Sequence, residues 1–527
     1  MTTRFEQNPL DYEKTVGEVE HREGARFADS TSLNAATTRD SEKAGSSRYA
    51  ASTAGLDHHE ASKKEERKLV RKMDCVILPL AVLLYLSAYL DRGNLGNARL
   101  QGLEKGVLGG SDERYSIALA CFFVTYVVWS IPGTLLAKQF NPNRVIAIGA
   151  LLWSVGATLQ AAAFNPAGLY VCRLIVGIGE AMFGQSMAYH LAIFYTKREL
   201  AKRVGLFISA GAVAGSLSGL ISYGVNHIHS KIPQYKILFL IEGLPSFLLA
   251  VIVWFCLPSR PETTKFFNEE ERTVAITRKN AENSSEDNHG IVWRDVRYTL
   301  TNWRTWILCI AYSAMNLGLG SVSGFLPTII KGLGYTNARA QLFSVPPYAV
   351  ALVFMLLITT ISDRVQSRGI PVMIVFAIGI VGWSILFGIE PHHASVSHLH
   401  VRYFGCICVV VAGYSAIPLI IAWQTSQQAT ESSKAASLGA LNSIGQCLSI
   451  LAAFSFPSKQ GPRYVKGCIL NIAFQSLGLC IAGAMTVYYR LENRRRDKRD
   501  GGRPVKGLPI EGRFELYDQA PAFRYTP

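Results

Sequence analysis

Four ionisable side chains stand inside two apolar stretches of this sequence. Asp91 and Arg92 are adjacent in YLDRGNLGNA, and Arg173 and Glu180 belong to CRLIVGIGEAMFGQ. The interval between Arg173 and Glu180 is close to two helical turns, so both side chains project from one face of a helix. A charge inside an apolar segment is costly to insert into a bilayer. Each of these residues is therefore expected to have a charged or polar partner, to line a water-filled cavity or to have a functional role.

These four groups could exchange protons and hold an anion. The adjacent Asp91 and Arg92 partly neutralise one another and can still bind a carboxylate or a proton. In a poorly solvated cavity Glu180 would hold a proton more readily than in water, and could take it up and release it together with a substrate. The alternative is that the charges form buried ion pairs that only hold helices together. Four such residues in two helices of one half favour proton coupling.

Neutral polar and aromatic side chains in the second half could orient a substrate. Each of them taken alone is more often a hydrogen bond between helices, and both interpretations stay open. The candidates are Asn316, Tyr414, Trp423, Gln427, Asn442 and Gln446.

Three further features are expected to be structural. Gly211, Gly215 and Gly219 recur every four residues, which predicts a groove for close helix packing. Glu242, in FLIEGLPSFLL, is expected to anchor a loop near the linker rather than to couple protons. His190 is expected to be a packed, hydrogen-bonded histidine rather than a proton relay.

The elements that must position these groups are membrane helices. Of the 527 residues, 49% are hydrophobic and only 17% are charged, against about 25% charged in soluble domains. Crossing a bilayer takes about twenty predominantly apolar residues as a helix, because every backbone polar group must be satisfied internally. Twelve apolar runs fit this requirement. They are Cys75 to Tyr89, Tyr115 to Leu136, Val145 to Phe164, Leu169 to Tyr195, Val204 to Val225, Ile237 to Leu257, Trp306 to Ile330, Phe343 to Ile361, Pro371 to Ile389, Tyr403 to Trp423, Ala435 to Phe456 and Cys468 to Tyr489.

A polar stretch from Pro258 to Asn302 divides the twelve runs into two sets of six. Two six-helix halves joined by a hydrophilic linker are typical of transporters. The sequence therefore predicts an all-α polytopic membrane protein. Its predicted parts are a disordered cytosolic tail (1–68), a first six-helix bundle (69–258), a cytosolic linker (259–302), a second six-helix bundle (303–491) and a cytosolic tail (492–527).

The charge distribution predicts the orientation. The chain has 53 Lys and Arg against 38 Asp and Glu, a formal net charge of +15. Basic residues precede the first run and follow the last one, so both ends and the linker are expected on the cytosolic side. In a soluble protein this excess would suggest a nucleic-acid partner, but no basic stripe interleaved with aromatics lies in a soluble segment. No nucleic-acid partner is expected.

Motifs for covalent chemistry are missing from the sequence. There is no glycine-rich nucleotide loop, nucleophile elbow or zincin motif, and the ten cysteines show no paired spacing. We expect no enzymatic activity, no cofactor and no metal, and a transport energy that comes from an ion gradient. The histidines of one outside loop are expected to be solvated surface rather than a weak metal site; they are His392, His393, His398 and His400.

The chain resembles the major facilitator superfamily, and within it the fungal allantoate/nicotinate-permease-like branch of the anion:cation symporter family. The resemblance rests on LDRGNLGNA, RLIVGIGEA, LFLIEGLPS, RPETTKFFNEEER, FLPTIIKGLGYTNARAQLFSVPPY and FPSKQGPRY. It covers nearly everything from Lys68 to Arg490. It implies the major facilitator fold, with a central site between the halves, and a proton-coupled carrier.

Matching motif positions assign roles by resemblance. Asp91 and Glu180 would be the proton-linked acids, and Arg92 and Arg173 would engage a substrate carboxylate or pair with those acids. The segment ISDRVQSRG matches the superfamily's cytosolic gate motif. Its gating residues would be Asp363, Arg364 and Arg368.

Departures from the family pattern lie near the expected cavity. The corresponding first-half gate reads GTLLAKQFNPNR, without its acid. Gly184 and Gln185 replace a Pro-Gly that relatives commonly have, and Ser426 and Gln427 stand where asparagines are expected. Gln185 joins the substrate-binding candidates, and the substrate cannot be borrowed from any single relative.

These observations together predict uptake of a small organic anion with protons. The expected class includes nicotinate, pantothenate, allantoate and related carboxylates, carried by a monomer in the plasma membrane. One alternative is export of a metabolite by antiport on the same fold. Another is a nutrient sensor that binds without transporting.

Overall fold

The computed structural model describes residues 40–195, 197–283, 292–389, 396–428, 430–502, 517–520 and 523–527. The chain divides into two units, Met1–Val70 and Arg71–Pro527. In the first unit the described residues, from Asp40 onwards, are helical. The second unit holds the remaining elements.

Among the described residues, twelve long helices carry the twelve predicted apolar runs. In the first half they are α1 (Asp40–Ala98), α2 (Asp112–Gln139), α3 (Pro142–Leu159), α4 (Pro166–Phe194), α5 (Lys197–Asn226) and α6 (Gln234–Cys256). In the second half they are α7 (Trp303–Lys331), α8 (Val345–Val365), α9 (Gly369–Gly388), α10 (Val396–Ser426), α11 (Glu431–Gly445, continued by Cys447–Ala453) and α12 (Val465–Arg499). Eleven stretches among the described residues are long and apolar enough to span a membrane, and α2 completes the twelve.

Shorter helices connect the long ones. Glu269–Asn283 and Trp293–Thr301 lie in the linker, and Asn337–Leu342 precedes α8. We call the ends of the bundles that carry the linker the linker side, and the opposite ends the far side. Predicted spans and helices agree in number and order, and the membrane helices at the two ends of the chain extend beyond their apolar runs.

Side chains just outside the helices fix several of their first residues. Ser111, Asn165, Asn302 and Thr430 each accept a hydrogen bond from a backbone N–H in the first turn of α2, α4, α7 and α11. Such caps satisfy donors that a helix leaves without partners. The boundaries of these helices therefore follow from the local sequence.

The first bundle is closely packed around α4. This helix packs against α2 and α3, and α3 packs against α6. A Cβ atom on Gly179 would lie 2.6 Å from the carbonyl oxygen of Gly149 on α3. Only glycine tolerates so close an approach, so small residues on α4 let a neighbouring helix pack closely.

The two halves meet along a seam on the far side. Tyr115 of α2 donates a hydrogen bond of 2.8 Å from its hydroxyl to the carbonyl oxygen of Gly324 on α7. The Asp112 carboxylate accepts one of 2.6 Å from the Ser458 hydroxyl, and Arg99 donates another of 2.8 Å to that same hydroxyl oxygen. These bonds join the loop after α1 and the start of α2 to α7 and to the loop after α11.

The glycine groove of α5 forms part of this seam. A Cβ on Gly215 would lie 2.5 Å from Cδ1 of Tyr348 on α8, and one on Gly219 would lie 2.6 Å from the Ser344 hydroxyl. The predicted close packing at these glycines is confirmed. Their partner is the second half, so the groove lies at a surface that must open and close if the halves rock against one another.

Helical structure extends beyond the apolar runs at both ends of the described chain. Residues 1–39 lie outside the described residues, and the described residues from Asp40 onwards are helical. The disorder expected of the N-terminal tail stays a prediction. At the other end α12 continues to Arg499. Tyr517–Gln519 forms a short helical turn and Phe523–Pro527 is ordered as well. Charged residues that favour helix formation explain why both membrane helices extend beyond their apolar runs.

Candidate functional site

Arg92 and Glu180 form a buried ion pair. Arg92 donates two hydrogen bonds to Oε2 of Glu180, of 2.6 Å from Nη2 and 3.1 Å from Nε. The side chains are 10% and 2% exposed. The pair joins α1 to α4, and the other carboxylate oxygen of Glu180 has no hydrogen-bond partner among the described residues. One acceptor position beside the guanidinium is therefore unsatisfied.

Aromatic rings surround the Arg92 guanidinium. Its Cζ lies 4.7 Å from the ring centre of Tyr89, 5.0 Å from that of Phe122 and 5.2 Å from that of Tyr126. Tyr89 also lies 6.3 Å, centre to centre, from Tyr414 of α10. The ion pair thus sits behind an aromatic lining at the boundary between the halves, and cation–π attraction helps to hold the guanidinium in place.

Asp91 points away from this boundary into the first bundle. Its Oδ2 accepts a hydrogen bond of 2.9 Å from the Ser246 hydroxyl on α6, and Ser87 donates to Ser246 at 2.6 Å. The second oxygen, Oδ1, has no hydrogen-bond partner among the described residues. Asp91 is completely buried. Neighbouring positions on α1 therefore serve two different environments, because consecutive helical residues are rotated by about 100°.

Arg173 lies in the same interior environment. Its Nη2 donates a hydrogen bond of 2.8 Å to Oδ1 of Asn94, and its Nη1 donates one of 3.4 Å to the backbone oxygen of Asp91. Arg173 therefore contacts α1 without forming a direct ion pair with the Asp91 carboxylate. The structure brings Asp91, Arg173 and Glu180 into one charged region, but only the Arg92–Glu180 pair faces the second half.

Glu242 also belongs to this interior region. Its Oε1 accepts a hydrogen bond of 3.1 Å from Ser218 of α5, and Ser218 in turn accepts one of 3.0 Å from Asn97 of α1. The side chain is buried. The prediction that Glu242 anchors a loop near the linker is wrong, because α6 runs from the far side and Glu242 occurs early in it, inside the bundle.

Two of the second-half candidates bond to one another. Gln446 of α11 donates a hydrogen bond of 3.4 Å to Asn316 of α7, and Ser449 donates one of 3.1 Å back to Gln446. Asn442 donates to the carbonyl oxygen of Leu438 in its own helix. These contacts are the helix-to-helix and intrahelical bonds that the alternative interpretation describes. The predicted role of the three residues in substrate binding stays a prediction.

Trp423 and Gln427 contact the end of the chain on the linker side. The indole N–H of Trp423 and the side-chain amide of Gln427 donate hydrogen bonds of 2.9 and 2.7 Å to the carbonyl oxygen of Thr526. The carbonyl oxygen of Pro527 accepts bonds of 2.7 and 3.2 Å from the backbone N–H groups of Arg368 and Gly369. We call residues Phe523–Pro527 the C-terminal strap.

A buried polar cluster holds the strap. Asp518 pairs with Arg304 of α7 and accepts hydrogen bonds from the hydroxyls of Tyr298 and Tyr525. Arg496 of α12 donates a hydrogen bond of 3.1 Å to the Tyr525 hydroxyl. Burial raises the pKa of Tyr298 and of Tyr525, so both phenols remain protonated and able to donate to the carboxylate.

The predicted gate residues lie where the strap meets the loop between α8 and α9. Arg368 forms an ion pair of 2.6 Å with Asp363 and a hydrogen bond of 3.1 Å with Ser362. Arg364 is exposed. This arrangement brings Asp363 and Arg368 together, and their gating role remains a prediction.

Other predicted residues have varied outcomes. Nothing is described of the Gln185 side chain, nor of His392 and His393, which lie outside the described residues. His398 and His400 are exposed, and no cluster of three potential metal ligands occurs among the described residues.

The prediction for His190 is partly wrong. His190 is buried and packs 5.1 Å from the ring of Phe194. Neither ring nitrogen has a hydrogen-bond partner among the described residues. The packing was anticipated, but the hydrogen bond was not found.

Sequence reasoning missed two features of the site. One is the aromatic lining of Arg92, whose rings come from α1 and α2; Tyr89 stands three residues before Arg92, a spacing that places both on one side of a helix. The other is the strap, for which the sequence offered only the aromatic residues of PAFRYTP after a charged stretch. Neither sequence feature identifies its part of the site unless the fold is known.

The geometry is that of a membrane carrier with two six-helix halves and charged groups between and within them. A family model described as the Major Facilitator Superfamily matches residues 81–454. The chain belongs to this superfamily, whose members transport small molecules and are not enzymes.

Curated relatives are fungal transporters. The chain is 31% identical to the MFS-type transporter efuF of Hormonema carpetanum, over 82% of this chain and 87% of that protein. It is 28% identical to the high-affinity nicotinic acid transporter of Saccharomyces cerevisiae, over 87% of this chain and 85% of that protein. These relatives agree with the fungal permease-like branch that the motifs implied.

A solved structure shares the fold. The xylose transporter XylE from E. coli, in a partially occluded inward open conformation, matches with a TM-score of 0.61 at 14% identity. The match covers 78% of this chain and 96% of that one. The predicted all-α, twelve-helix major facilitator fold is confirmed.

Proposed function

We propose that this transporter carries a small organic anion together with protons. The observation that supports the proposal is the buried Arg92–Glu180 pair behind its aromatic lining at the boundary of the halves. Guanidinium groups bind carboxylates in a two-pronged geometry. A substrate carboxylate can therefore compete with Glu180 for Arg92.

The same competition couples the anion to a proton. If a substrate carboxylate takes over Arg92, the Glu180 carboxylate is left buried without its partner. An unpaired buried charge is strongly unfavourable, so Glu180 then takes up a proton. Release of the anion on the other side restores the ion pair and expels the proton. Anion and proton thus move together, with Glu180 as the coupling acid and Arg92 as the anion site.

The ring-lined approach to Arg92 suits a flat, partly apolar acid. Three aromatic side chains lie within cation–π distance of the guanidinium. One relative is named a nicotinic acid transporter, and nicotinic acid is an aromatic carboxylate. We infer that nicotinate, pantothenate and allantoate-like carboxylates are the class to test. The candidates for orienting the rest of the substrate remain Gln185, Asn316, Trp423, Gln427, Asn442 and Gln446.

The remaining proposals concern placement. Basic residues flank the apolar runs of α1 and α12 on the linker side, which supports a cytosolic linker and cytosolic termini. We also propose the domain division into 69–258 and 303–491, with the linker 259–302 between them, because six apolar runs lie on each side of that polar stretch. We further propose a monomer in the plasma membrane, with Asp363, Arg364 and Arg368 acting at the cytosolic gate.

Uptake assays test the proposed function. The chain would be expressed in cells that lack their own carriers and supplied with a panel of labelled carboxylates, with and without an uncoupler. We expect at least one acid to accumulate above its external concentration at acidic external pH, and the uncoupler to abolish the accumulation. Uptake at the same rate with and without the uncoupler contradicts proton symport. Outward transport would indicate an antiporter, and binding without flux a sensor.

A further inference from the structure

The C-terminal strap occupies a peptide-binding groove on the second half. The side-chain amide of Asn493 on α12 donates a hydrogen bond of 2.8 Å to the carbonyl oxygen of Tyr525 and accepts one of 2.9 Å from the Tyr525 backbone N–H. Phe523 and Tyr525 are each only 3% exposed. The Tyr525 ring stacks on that of Tyr489, with 4.9 Å between ring centres. The groove therefore recognises both the backbone and the aromatic side chains of the strap.

The strap also holds the start of α9. The carbonyl oxygen of Pro527 accepts a hydrogen bond of 3.2 Å from the Ser367 hydroxyl, besides those from the backbone N–H groups of Arg368 and Gly369. Donors at the start of a helix need acceptors from outside that helix. The strap thus acts as a cap of α9 and fixes the loop between α8 and α9.

Helix ends from four parts of the second half meet at the strap. Besides the start of α9, they belong to α7, α10 and α12. Arg304 of α7 bonds to the Tyr525 hydroxyl, Trp423 of α10 to the Thr526 carbonyl, and Asn493 of α12 to the Tyr525 backbone. A segment bonded to four helix ends resists any change in which these ends move relative to one another.

The interface beneath the strap is polar. A pocket at this place is lined by Thr305, Gln424, Tyr489 and Tyr525, among others. The hydroxyls of Thr305 and Tyr489 and both amide atoms of Gln424 are buried and have no hydrogen-bond partner among the described residues. Water satisfies buried groups of this kind. Polar interfaces are typical of contacts that form and separate, whereas permanent interfaces are more apolar. This interface is therefore suited to reversible docking.

The conformation of the carrier gives the strap a direction of effect. The far side is closed by the seam, whereas on the linker side the side chain of the predicted gate residue Asp363 is 60% exposed and Arg364 is exposed as well. Closing the linker side brings the gate residues towards the first half. That movement displaces the loop that Pro527 holds. Contacts made in only one of two conformations shift the equilibrium towards that conformation.

We propose that the C-terminal strap is an autoinhibitory latch. While it is docked it holds the conformation with a closed far side, and its release allows the two halves to rock. The proposal requires an alternating-access carrier, but neither a particular anion nor a proton. Because the groove recognises a backbone and two aromatic rings, a free peptide with the sequence of the strap fits the same groove.

Labelling on the far side tests the latch without any substrate. The purified carrier in lipid would carry Ser344→Cys, at a seam position that is 2% exposed, and react with a membrane-impermeant maleimide. The carrier without this substitution gives the background of the native cysteines. We expect deletion of residues 523–527 to raise the labelling rate roughly tenfold, which corresponds to about 1.4 kcal/mol of restraint. Such a change far from the strap would not follow from a purely local role.

A point variant repeats the test at full chain length. Asn493→Ala removes both hydrogen bonds to the backbone of Tyr525, and it should accelerate labelling in the same direction. Arg494→Ala, at the exposed neighbouring position of α12, is the matched control and should label at the original rate.

A free peptide separates a latch from a general loosening of the fold. The peptide FRYTP, added at millimolar concentration to the carrier that lacks residues 523–527, should restore slow labelling, since a tethered segment has an effective concentration of about that order. The same peptide with Tyr525→Ala should not. Labelling that is unchanged or slower in both the deletion and Asn493→Ala overturns the latch. Faster labelling that the peptide cannot reverse also overturns it, because the strap would then only stabilise the fold. The proposed function is tested separately, by uptake with and without the uncoupler.

Discussion

Asp91 and Arg92 are neighbours in the sequence, yet their side chains enter different environments. Arg92 faces the boundary of the halves and binds Glu180, whereas Asp91 bonds to Ser246 inside the first bundle. The sequence could identify both residues, because ionisable groups in apolar helices are rare and costly. It could not assign their partners, because these come from α4 and α6, far away in the chain.

Arg92→Lys tests whether the Arg92 guanidinium binds the substrate anion. Lysine keeps the charge but loses the planar fork that can bind a carboxylate with two hydrogen bonds. Losing one charge-assisted hydrogen bond costs about 1.5–3 kcal/mol, so we expect substrate affinity to fall roughly 10- to 100-fold. The affinity is measured by binding of the substrate to the purified carrier. Arg144→Lys, at an exposed position of α3, serves as the control, and an affinity of Arg92→Lys within twofold of wild type would argue against the site.

The helices themselves were largely predictable. Apolar runs gave their number and order, and residues such as Asn165 and Asn302 mark where α4 and α7 begin. The extended helices at the chain ends and the C-terminal strap were not predictable, because polar helical extensions and a docked peptide leave no hydropathy signal. Trp423 illustrates what the sequence does not show: its indole N–H bonds to the C-terminal strap.

The strap depends on the cluster around Asp518. Asp518→Asn removes the charge that pairs with Arg304, and a half-buried guanidinium then lacks its counter-ion. We expect trypsin to cleave after Arg524 roughly tenfold faster or more in detergent-solubilised protein, measured by mass spectrometry of the released peptide. Arg494→Gln, an exposed change on α12, should leave the rate unaltered. Cleavage of Asp518→Asn at the wild-type rate would show that the cluster does not hold the strap.

The molecule as a whole is closed along the far-side seam. Tyr115, Asp112 and the glycine groove of α5 join the halves there. Alternating access requires this seam to open, so its packing must be tight yet separable. The sequence indicated the groove through its four-residue spacing, but not that the opposite surface would be α8.

Gly215→Ala tests the seam. The added Cβ would meet the Tyr348 ring at 2.5 Å, and overpacking of this kind costs about 1–3 kcal/mol. We expect the far side to open more often, so that a cysteine placed at Ser344, a seam position that is 2% exposed, reacts faster with a membrane-impermeant maleimide. Gly224→Ala is the matched control on the same helix, where a Cβ meets nothing within 4 Å. Equal labelling of the two variants would mean that the groove does not control the seam.

The coupling of anion to proton through Glu180 is tested most directly by Glu180→Gln. The amide resembles the protonated acid and cannot release a proton. With a transported carboxylate, we predict that this variant loses accumulation driven by a pH gradient but still exchanges internal for external substrate at equal pH. Accumulation at the wild-type level, with the same dependence on external pH, would contradict the account.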